Sequence, residues 1–297
     1  MATERGIDLR RLRLGVVGAG RLGGALAEAL VEAGYPLAAV AGRDPGSPDA
    51  LARRLGNAGA TRSVAASELP AHVDVVFVAV PDEAVAAVAS DLPWRAGQVA
   101  IHCAGALGLD ALAGARTRGA LAGCLHPLQS FPEGTGGAAR FRGIACGVEG
   151  DGAVAGALEA LCRDLGATSF SLAGVDRARY HAAAVFASNY VVALHAAAER
   201  AWTLAGLPGA RAREALAPLT LGTAGNVARL PLHAALTGPI ARGDADTVAR
   251  HLTALATAPD LADLYRRLGA TLLDIGLPLA PEERAALERA LSATDKP

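Results

Sequence analysis

Residues 12–30 read Leu12-Arg13-Leu14-Gly15-Val16-Val17-Gly18-Ala19-Gly20-Arg21-Leu22-Gly23-Gly24-Ala25-Leu26-Ala27-Glu28-Ala29-Leu30. The apolar residues before Gly18 have the length of a buried strand, and those after Gly23 have helical spacing. In a Gly-x-Gly-x-x-Gly turn the first glycine permits tight bending, the second lets backbone approach a pyrophosphate, and the third lets helix pack on strand. The order strand, glycine turn, helix therefore predicts a dinucleotide site rather than a turn without a ligand, with cofactor contacts at Gly18, Gly20, Arg21, Leu22 and Gly23.

The composition excludes several other classes of protein. The 297 residues are 52% hydrophobic and 19% charged, which predicts about two domains with a large core and not a disordered chain. The net charge of -1 gives no reason to expect nucleic acid or an anionic membrane as a partner. The four cysteines form no CxxC pair, which argues against a metal site and is typical of a reduced cytoplasmic protein. Neither a signal peptide nor an apolar run of the ~20 residues that span a bilayer is predicted.

The predicted elements change in character near the middle of the chain. Short apolar strands are predicted at 12–17, 36–42, 73–80, 97–103, 119–124 and 142–149, with helices at 21–33, 48–56, 82–90 and 151–165. This alternation indicates an α/β, Rossmann-type doubly wound parallel sheet. A short apolar stretch, 168–172, follows, and later helices are predicted at 176–205, 209–224, 244–256, 258–270 and 281–292. We therefore predict an NADP-binding domain over 1–173 and an all-helical domain for substrate binding and dimerisation over 174–297.

The end of the second predicted strand bears on the choice of cofactor. A carboxylate about 20 residues past the glycines binds the ribose hydroxyls in NAD sites. Here the strand ends Val40-Ala41-Gly42, and Arg43 follows, placed to bind a 2′-phosphate. This favours NADP(H) over NAD. The alternatives are a solvated arginine before an Asp-Pro turn, or a ribose contact made by Asp44.

Five further segments carry a resemblance to known proteins: Val78-Ala79-Val80-Pro81-Asp82, residues 102–108 (HCAGALG), 126–131 (HPLQSF), 180–190 (YHAAAVFASNY) and 236–244 (LTGPIARGD). The first is similar to the β-hydroxyacid and 6-phosphogluconate dehydrogenase superfamily. Together, over roughly residues 12–270, they resemble a bacterial family with a Rossmann-like N-terminal half and a C-terminal domain of unknown function. Its relatives are pyrroline-5-carboxylate reductase and ketopantoate reductase. The resemblance implies an NADP-binding fold whose helical second domain closes over the nicotinamide and often mediates dimerisation.

Several candidate residues follow predicted strands, at the sheet edge where ligands bind. Val80, Pro81 and Cys103 are predicted cofactor contacts, although Cys103 also suits a small buried position. His126 is a candidate catalytic residue or a structural histidine that fixes its loop. Gln129 and Ser130 are candidate donors to a substrate carbonyl or carboxyl group.

The predicted helix 176–205 carries a polar stripe. His181, Ser188 and His195 are spaced seven apart, so they share one face of a continuous helix, and Asn189 is reachable from that side. In the superfamily this helix commonly carries a catalytic lysine one turn before an asparagine. Val185 occupies that position, and the chain's one lysine is Lys296. His181 is therefore the predicted proton donor, with Ser188 and Asn189 orienting substrate; the alternative is a core histidine.

Further polar and charged residues of interest lie within the predicted helical domain. Thr237 and Arg242 lie in a predicted loop and are candidate substrate contacts, Arg242 as a carboxylate clamp or as a partner of an acid such as Asp244. Asp244 is predicted to cap the next helix. Arg177 and Arg179 are predicted to be mostly solvated.

These residues predict a reductase that transfers hydride from NADPH to a small carbonyl substrate, such as the 2-keto acid ketopantoate. One alternative is reduction of a cyclic imine, as in pyrroline-5-carboxylate reductase. Another is a non-catalytic NADP-binding sensor, which the missing lysine favours. The Ala/Leu-rich faces of the helical half predict a homodimer.

Overall fold

One sheet organises the N-terminal part of the computed structural model, which describes residues 6–44, 46–56, 60–132 and 137–292. Its strands are β1 (Leu14–Val17), β2 (Leu37–Ala41), β3 (Arg62–Ser63), β4 (Val75–Val78), β5 (Val99–His102), β6 (Leu121–Pro127), β7 (Ala145–Gly150) and β8 (Thr168–Ser171). They lie in the order β3-β2-β1-β4-β5-β6-β7-β8. Neighbours are parallel except β6 and β7, which pair antiparallel. The predicted fold class is confirmed, with one antiparallel pair added near its edge and with β3 not predicted.

The described helices alternate with the strands and then continue alone. They are α1 (Arg21–Glu32), α2 (Gly46–Leu55), α3 (Leu69–His72), α4 (Asp82–Asp91), α5 (Ala113–Thr117), α6 (Val154–Asp164), α7 (Arg177–Ala187), α8 (Asn189–Leu204), α9 (Ala212–Val227), α10 (Leu232–Ala235), α11 (Ala245–Ala254), α12 (Pro259–Leu273) and α13 (Pro281–Ser292). The predicted cap of α11 is present, because the Asp244 carboxylate accepts a hydrogen bond from the Thr247 N–H at 3.0 Å.

The central strands are buried on both faces. Successive residues of β4 and β5 alternate between two cores: Phe77 and Ile101 face the one that holds α1 and α6, and Val76 and Ala100 face the one that holds α4. Strands covered by helices on both sides must be apolar throughout, which explains their unbroken Val/Ala/Ile runs. The two cores fix the carboxyl ends of β1, β4, β5 and β6, where the candidate residues lie.

The chain divides into two compact units, Met1–Ser188 and Asn189–Pro297. The first contains the sheet together with α7, because Arg177 and Tyr180 of α7 contact residues of β6 and β7. The two compact units thus divide after Ser188, later in the chain than the predicted domain boundary at Ala173-Gly174. The predicted domain boundary stays a prediction.

The helix predicted over 176–205 is interrupted. It ends at Ala187, Ser188 has φ −128° and ψ −71°, and α8 begins at Asn189. The common face predicted for His181, Ser188 and His195 required one continuous helix and is therefore wrong. His195 instead lies 3.2 Å from the Thr220 hydroxyl and 3.4 Å from Glu199.

The second unit has its own core, formed by residues that include Ile240, Val248, Leu252, Leu273 and Leu287. No described residue of α8 is buried. Among the described helical segments, one stretch, Arg177–Leu204, is long and apolar enough to cross a membrane by length and composition alone. In this stretch alanine and valine raise the hydropathy around scattered polar residues, so no unbroken apolar run marks it in the sequence.

Candidate functional site

The glycine turn between β1 and α1 has the shape that its sequence predicts. Gly18 has φ +101°, and a Cβ there would lie 2.4 Å from the Ala79 carbonyl oxygen. A Cβ on Gly23 would lie 1.8 Å from the Gly18 oxygen. Both positions therefore require glycine, one for backbone conformation and close approach, the other for the packing of α1 against the turn.

Gly20 differs from its two neighbours in the motif. No heavy atom of the described residues lies within 4 Å of the position that its Cβ would occupy. It precedes α1, whose first N–H groups have no partner inside the helix and carry the positive end of the helix dipole. Arg21 is exposed and Leu22 half-buried at this start. An open backbone surface at a helix N-terminus fits a pyrophosphate, as predicted for Gly20, Arg21, Leu22 and Gly23.

The two candidates for selecting the cofactor have different surroundings. The Asp44 carboxylate accepts hydrogen bonds from the Gly46 N–H at 3.2 Å and the Ser47 hydroxyl at 3.4 Å, so it caps α2. Arg43 is exposed beside it. This capping role of Asp44 weakens the alternative in which its carboxylate binds a ribose, and the role of Arg43 as a 2′-phosphate ligand stays a prediction.

The strand ends beyond the glycine turn hold the other predicted cofactor contacts. Val80 lies against the turn, since its Cγ1 is 3.1 Å from the position of a Gly18 Cβ. Pro81 is exposed and precedes α4. Cys103 is 5% exposed in the core, where burial raises the pKa of its thiol. This geometry favours the packing interpretation of Cys103.

Two histidines from distant parts of the sequence converge on Gly105, just beyond β5. A Cβ on Gly105 would lie 2.7 Å from His126 Nε2 and 2.8 Å from His181 Nδ1. The two imidazole centroids are 6.2 Å apart, at 61° to each other. The Nδ1 of His181 is buried and has no hydrogen-bond partner among the described residues. A buried ring nitrogen requires a partner, so this position suits a ligand atom.

Tyr180 completes the cluster from the other side of His126. Its hydroxyl oxygen lies 2.5 Å from His126 Nδ1. That hydroxyl is also 3.0 Å from the position of a Gly147 Cβ, so glycine in β7 makes room for it. Burial raises the pKa of Tyr180 to about 12, and the phenol is therefore neutral at neutral pH.

Arg177 lies near these rings. The sequence predicts a mostly solvated side chain, and that prediction is wrong. Its side chain is 10% exposed, forms an ion pair with Glu149 of β7, and lies 3.5 Å from Cys124 Sγ. The reason is its position one turn before Tyr180 and His181, which puts all three on the face of α7 that packs on the sheet. Arg179 has an exposed side chain, as predicted.

Electrostatics keep two histidines of this region neutral. Burial, followed by the nearby His181, Arg177 and His102, lowers the pKa of His126 to about 4. Burial, followed by the positive charge of Arg177, lowers the pKa of His102 to about 4. His102 is fully buried, and its Nδ1 accepts a hydrogen bond from the Ala104 N–H at 3.3 Å. At neutral pH both rings are hydrogen-bonding groups without charge.

Sequence reasoning missed Tyr180, Arg177 and Gly105 as parts of one cluster. The spacing of Arg177, Tyr180 and His181 (i, i+3, i+4) was the available signal, because it places polar groups on a single helical face. Gly105 follows a strand, where a missing Cβ often allows another group to approach closely. The pairing partner, Glu149, could not be found without the register of β7.

The remaining predicted residues have other surroundings within the first unit or lie in the second unit. Gln129 and Ser130 are exposed, and the Gln129 side-chain oxygen accepts a hydrogen bond from the Ser130 N–H at 2.9 Å. The Ser188 hydroxyl donates to the Ala184 carbonyl at 2.7 Å. The last three, Asn189, Thr237 and Arg242, are exposed in the second unit. The roles assigned to these residues stay predictions.

No group of three or more His, Cys, Asp or Glu side chains suited to a metal occurs within residues 6–44, 46–56, 60–132 and 137–292. All four cysteines are free thiols, and all are buried.

Comparison with solved structures shows the same fold over most of the chain. A candidate NADP oxidoreductase from Bacteroides fragilis is 24% identical with a TM-score of 0.73, covering 89% of this chain and 99% of that one. The protein TM1727 from Thermotoga maritima is 27% identical with a TM-score of 0.67, covering 88% and 97%. A 1-pyrroline-5-carboxylate reductase from Streptococcus pyogenes is 18% identical with a TM-score of 0.59, covering 88% and 98%. No curated protein matched the chain.

Family models match both halves of the sequence. Residues 1–127 match a Rossmann-like domain, and residues 144–272 match a domain of unknown function, DUF2520. The second match begins at the antiparallel end of the sheet and extends through the helices that follow. The resemblance drawn from the motifs is confirmed: the chain joins a Rossmann-like domain to a DUF2520 domain.

Proposed function

We propose that this protein is an NADPH-dependent reductase that transfers hydride to a small carbonyl substrate. The observation that carries the proposal is the placement of two features at one edge of one sheet. The glycine turn follows β1, and the two imidazoles lie at the carboxyl ends of β5 and β6, which run parallel to β1. Ligands of open α/β sheets bind at this edge. A dinucleotide held at Gly20 would extend along it.

The cofactor and the residues of the site have different roles in the proposed reaction. NADPH, when bound, supplies the hydride. Hydride addition to a carbonyl carbon leaves negative charge on the oxygen, which needs a proton. His181 is the proposed proton donor, because its buried Nδ1 faces the Gly105 region without a partner among the described residues. His126 stays neutral near it.

The names of two similar structures bear on cofactor and substrate. One is described as a candidate NADP oxidoreductase, in keeping with Arg43 as a 2′-phosphate ligand. Another is a 1-pyrroline-5-carboxylate reductase, which supports a cyclic imine as the second candidate substrate class. A 2-keto acid such as ketopantoate remains the first candidate. The same proton donor serves either substrate, since both the reduced oxygen and the reduced nitrogen gain hydrogen.

The deciding experiment measures NADPH oxidation over a panel of 2-keto acids, aldehydes and cyclic imines. We expect His181→Asn to bind NADPH as the wild type does and to lose roughly 10²–10⁴-fold in turnover. His233→Asn, which changes an exposed histidine, is the matched control and retains turnover. Wild-type turnover by His181→Asn would assign the proton to water or His126. NADPH binding without oxidation by any substrate would instead indicate a sensor.

A further inference from the structure

The hydroxyl of Tyr180 occupies a position that the fold has shaped for it. It reaches His126 Nδ1 through the space left by Gly147, the residue that pairs with His126 across β6 and β7. The opposite edge of the same imidazole lies against Gly105. Two glycines thus flank the tyrosine–histidine pair. A Cβ at Gly105 would lie 2.7 Å from His126, and a Cβ at Gly147 would lie 3.0 Å from the Tyr180 hydroxyl and 2.5 Å from Leu172 Cδ1. The pair is too closely fitted for His126 to rotate freely.

The two atoms are 2.5 Å apart and share one hydrogen, and the chemistry of the two groups indicates which of them donates it. A phenol O–H is a stronger acid than the N–H of a neutral imidazole, and the unprotonated imidazole nitrogen is a better acceptor than the phenol oxygen. Since the pKa of Tyr180 is raised and that of His126 lowered, both stay neutral at neutral pH. Donation from the hydroxyl leaves the single imidazole hydrogen on Nε2.

We propose that Tyr180 is a positioning residue: its hydroxyl donates to His126 Nδ1 and holds His126 in the tautomer whose Nε2–H faces the space that it shares with His181 Nδ1. This inference extends the proposed function and rests on it, because the proposed reaction supplies the substrate oxygen or nitrogen that gains a proton. The neutral His126 ring then donates a hydrogen bond from Nε2–H to that substrate atom, and His181 transfers the proton to it. No proton leaves Tyr180.

The surroundings of His126 explain why it takes the neutral role. The polar and ionisable groups around it are His102 of β5 and Arg177, Tyr180 and His181 of α7. Burial first, and then the neighbouring His181, Arg177 and His102, disfavour a charge on His126. A fixed neutral donor stabilises developing negative charge without having to be reprotonated in each cycle.

The direct test is the tautomer of His126 in the full-length protein. Protonated and unprotonated ring nitrogens have well-separated ¹⁵N shifts, so a long-range ¹H–¹⁵N spectrum of histidine-labelled protein distinguishes them, with His126 assigned from the loss of its signals in His126→Asn. We expect a hydrogen on Nε2 and none on Nδ1 near neutral pH. If the wild-type spectrum shows a hydrogen on Nδ1, or a fast average of both tautomers, that result by itself overturns the proposal.

Tyr180→Phe should convert His126 to a mixture of tautomers and lower turnover by about tenfold, the scale of one hydrogen bond, with NADPH affinity kept. The chain offers a matched control, because Tyr265 lies 2.9 Å from His251 Nδ1 in the second unit. Tyr265→Phe should shift the His251 signals alone and leave turnover unchanged. Unchanged His126 signals in Tyr180→Phe would contradict the proposal.

A second variant tests whether turnover depends on the position of the two imidazoles. Gly105→Ala must displace at least one imidazole, and we therefore expect it to lose turnover. Wild-type turnover in this variant would remove Gly105 and both rings from the reaction. Gly156→Ala, in open space on α6, is its control. If none of the tested substrates supports NADPH oxidation by the wild type, but the His126 tautomer is fixed, the reductase proposal fails and the assignment of Tyr180 stands.

Discussion

We propose that the choice of cofactor depends on Arg43. Its neighbour Asp44 is engaged at the start of α2, and the exposed guanidinium of Arg43 is the group proposed to distinguish a 2′-phosphate from a ribose hydroxyl. A charge-assisted hydrogen bond contributes roughly 1.5–3 kcal/mol, which corresponds to about ten- to a hundredfold in affinity. We therefore expect NADPH to bind that much tighter than NADH.

Arg43→Ala should erase most of this preference, because it removes the ligand of the 2′-phosphate and leaves the glycine turn intact. Titration of both cofactors with wild type and variant measures the effect. Arg53→Ala, at an exposed arginine of α2, is the control for a simple change in charge. Equal affinity of the wild type for NADPH and NADH would refute the role of Arg43.

His102 and His126 make stability depend on pH. In the unfolded chain a histidine gains a proton near pH 6.5, whereas the folded protein resists protonation of either ring until about pH 4. The unfolded state therefore binds more protons between these values, and stability falls as pH falls through that window. We expect each ring to account for a loss of about 2 kcal/mol in unfolding free energy between pH 7.5 and pH 5.

Urea unfolding measures this loss, followed by the fluorescence of the buried Trp94 in a Trp202→Phe background, so that the first unit alone is observed. His102→Asn and His126→Asn should each reduce the pH-dependent part of the loss by about 2 kcal/mol. If the wild type and both variants weaken equally on acidification, the rings are not held neutral by burial.

At the scale of elements, the strands that the sequence predicts best are those buried on both faces. Their unbroken apolar runs fix β1, β4 and β5 to within a few residues. The two-residue strand β3 was missed because it has no run to recognise. The reversal of β7 was missed because apolar pattern carries no information on strand direction. The end of α7 at Ser188 was missed because helical spacing continues across it and no proline marks it.

The candidate site was predictable in parts but not as a cluster. His126 was found because it lies near a strand end. His181 was found because it lies one turn before Val185, the position at which the superfamily commonly has a catalytic lysine. Their meeting at Gly105 depends on how α7 packs on the sheet, which one sequence does not specify. Arg177 was misjudged for the same reason, since an arginine at a helix start is ordinarily solvated unless a carboxylate such as Glu149 lies beneath it.

The ion pair between β7 and α7 should be one of the costlier contacts to remove. Arg177 and Glu149 side chains are 10% and 22% exposed, so Glu149→Gln leaves a largely buried guanidinium without its counterion. Breaking such a pair from one side costs roughly 3–5 kcal/mol when fully buried, and we expect about 2–4 kcal/mol here.

Glu32→Gln makes the same change in charge at an exposed pair with Arg142, where the cost should stay below about 1 kcal/mol. Unfolding free energies of the two variants, measured in the same way, give the comparison. Equal costs would show that Arg177 finds another partner or reaches solvent when Glu149 is neutral.

At the scale of the whole molecule, the second unit exposes more apolar surface than an isolated domain normally does. Val192 of α8 and Leu221 of α9 are each 72% exposed, and Leu219 is 68% exposed. The two helices pack on each other, with His195 bonded to Thr220 between them. Exposed apolar residues on adjoining helices usually mark an interface. We propose that a second copy of the chain covers them.

The protein should therefore have twice the 29.8 kDa mass of one chain at micromolar concentration by light scattering. Leu221→Glu should shift the mass to that of one chain without unfolding it, because a charge is tolerated in water and not in an apolar interface. Thr271→Glu, at an exposed site on α12, should remain dimeric. A single-chain mass for the wild type would contradict the dimer. Recovery of the wild type only with membranes or detergent would instead assign the exposed apolar residues of α8 to lipid, since a dimer that buries α8 and α9 has no need of either.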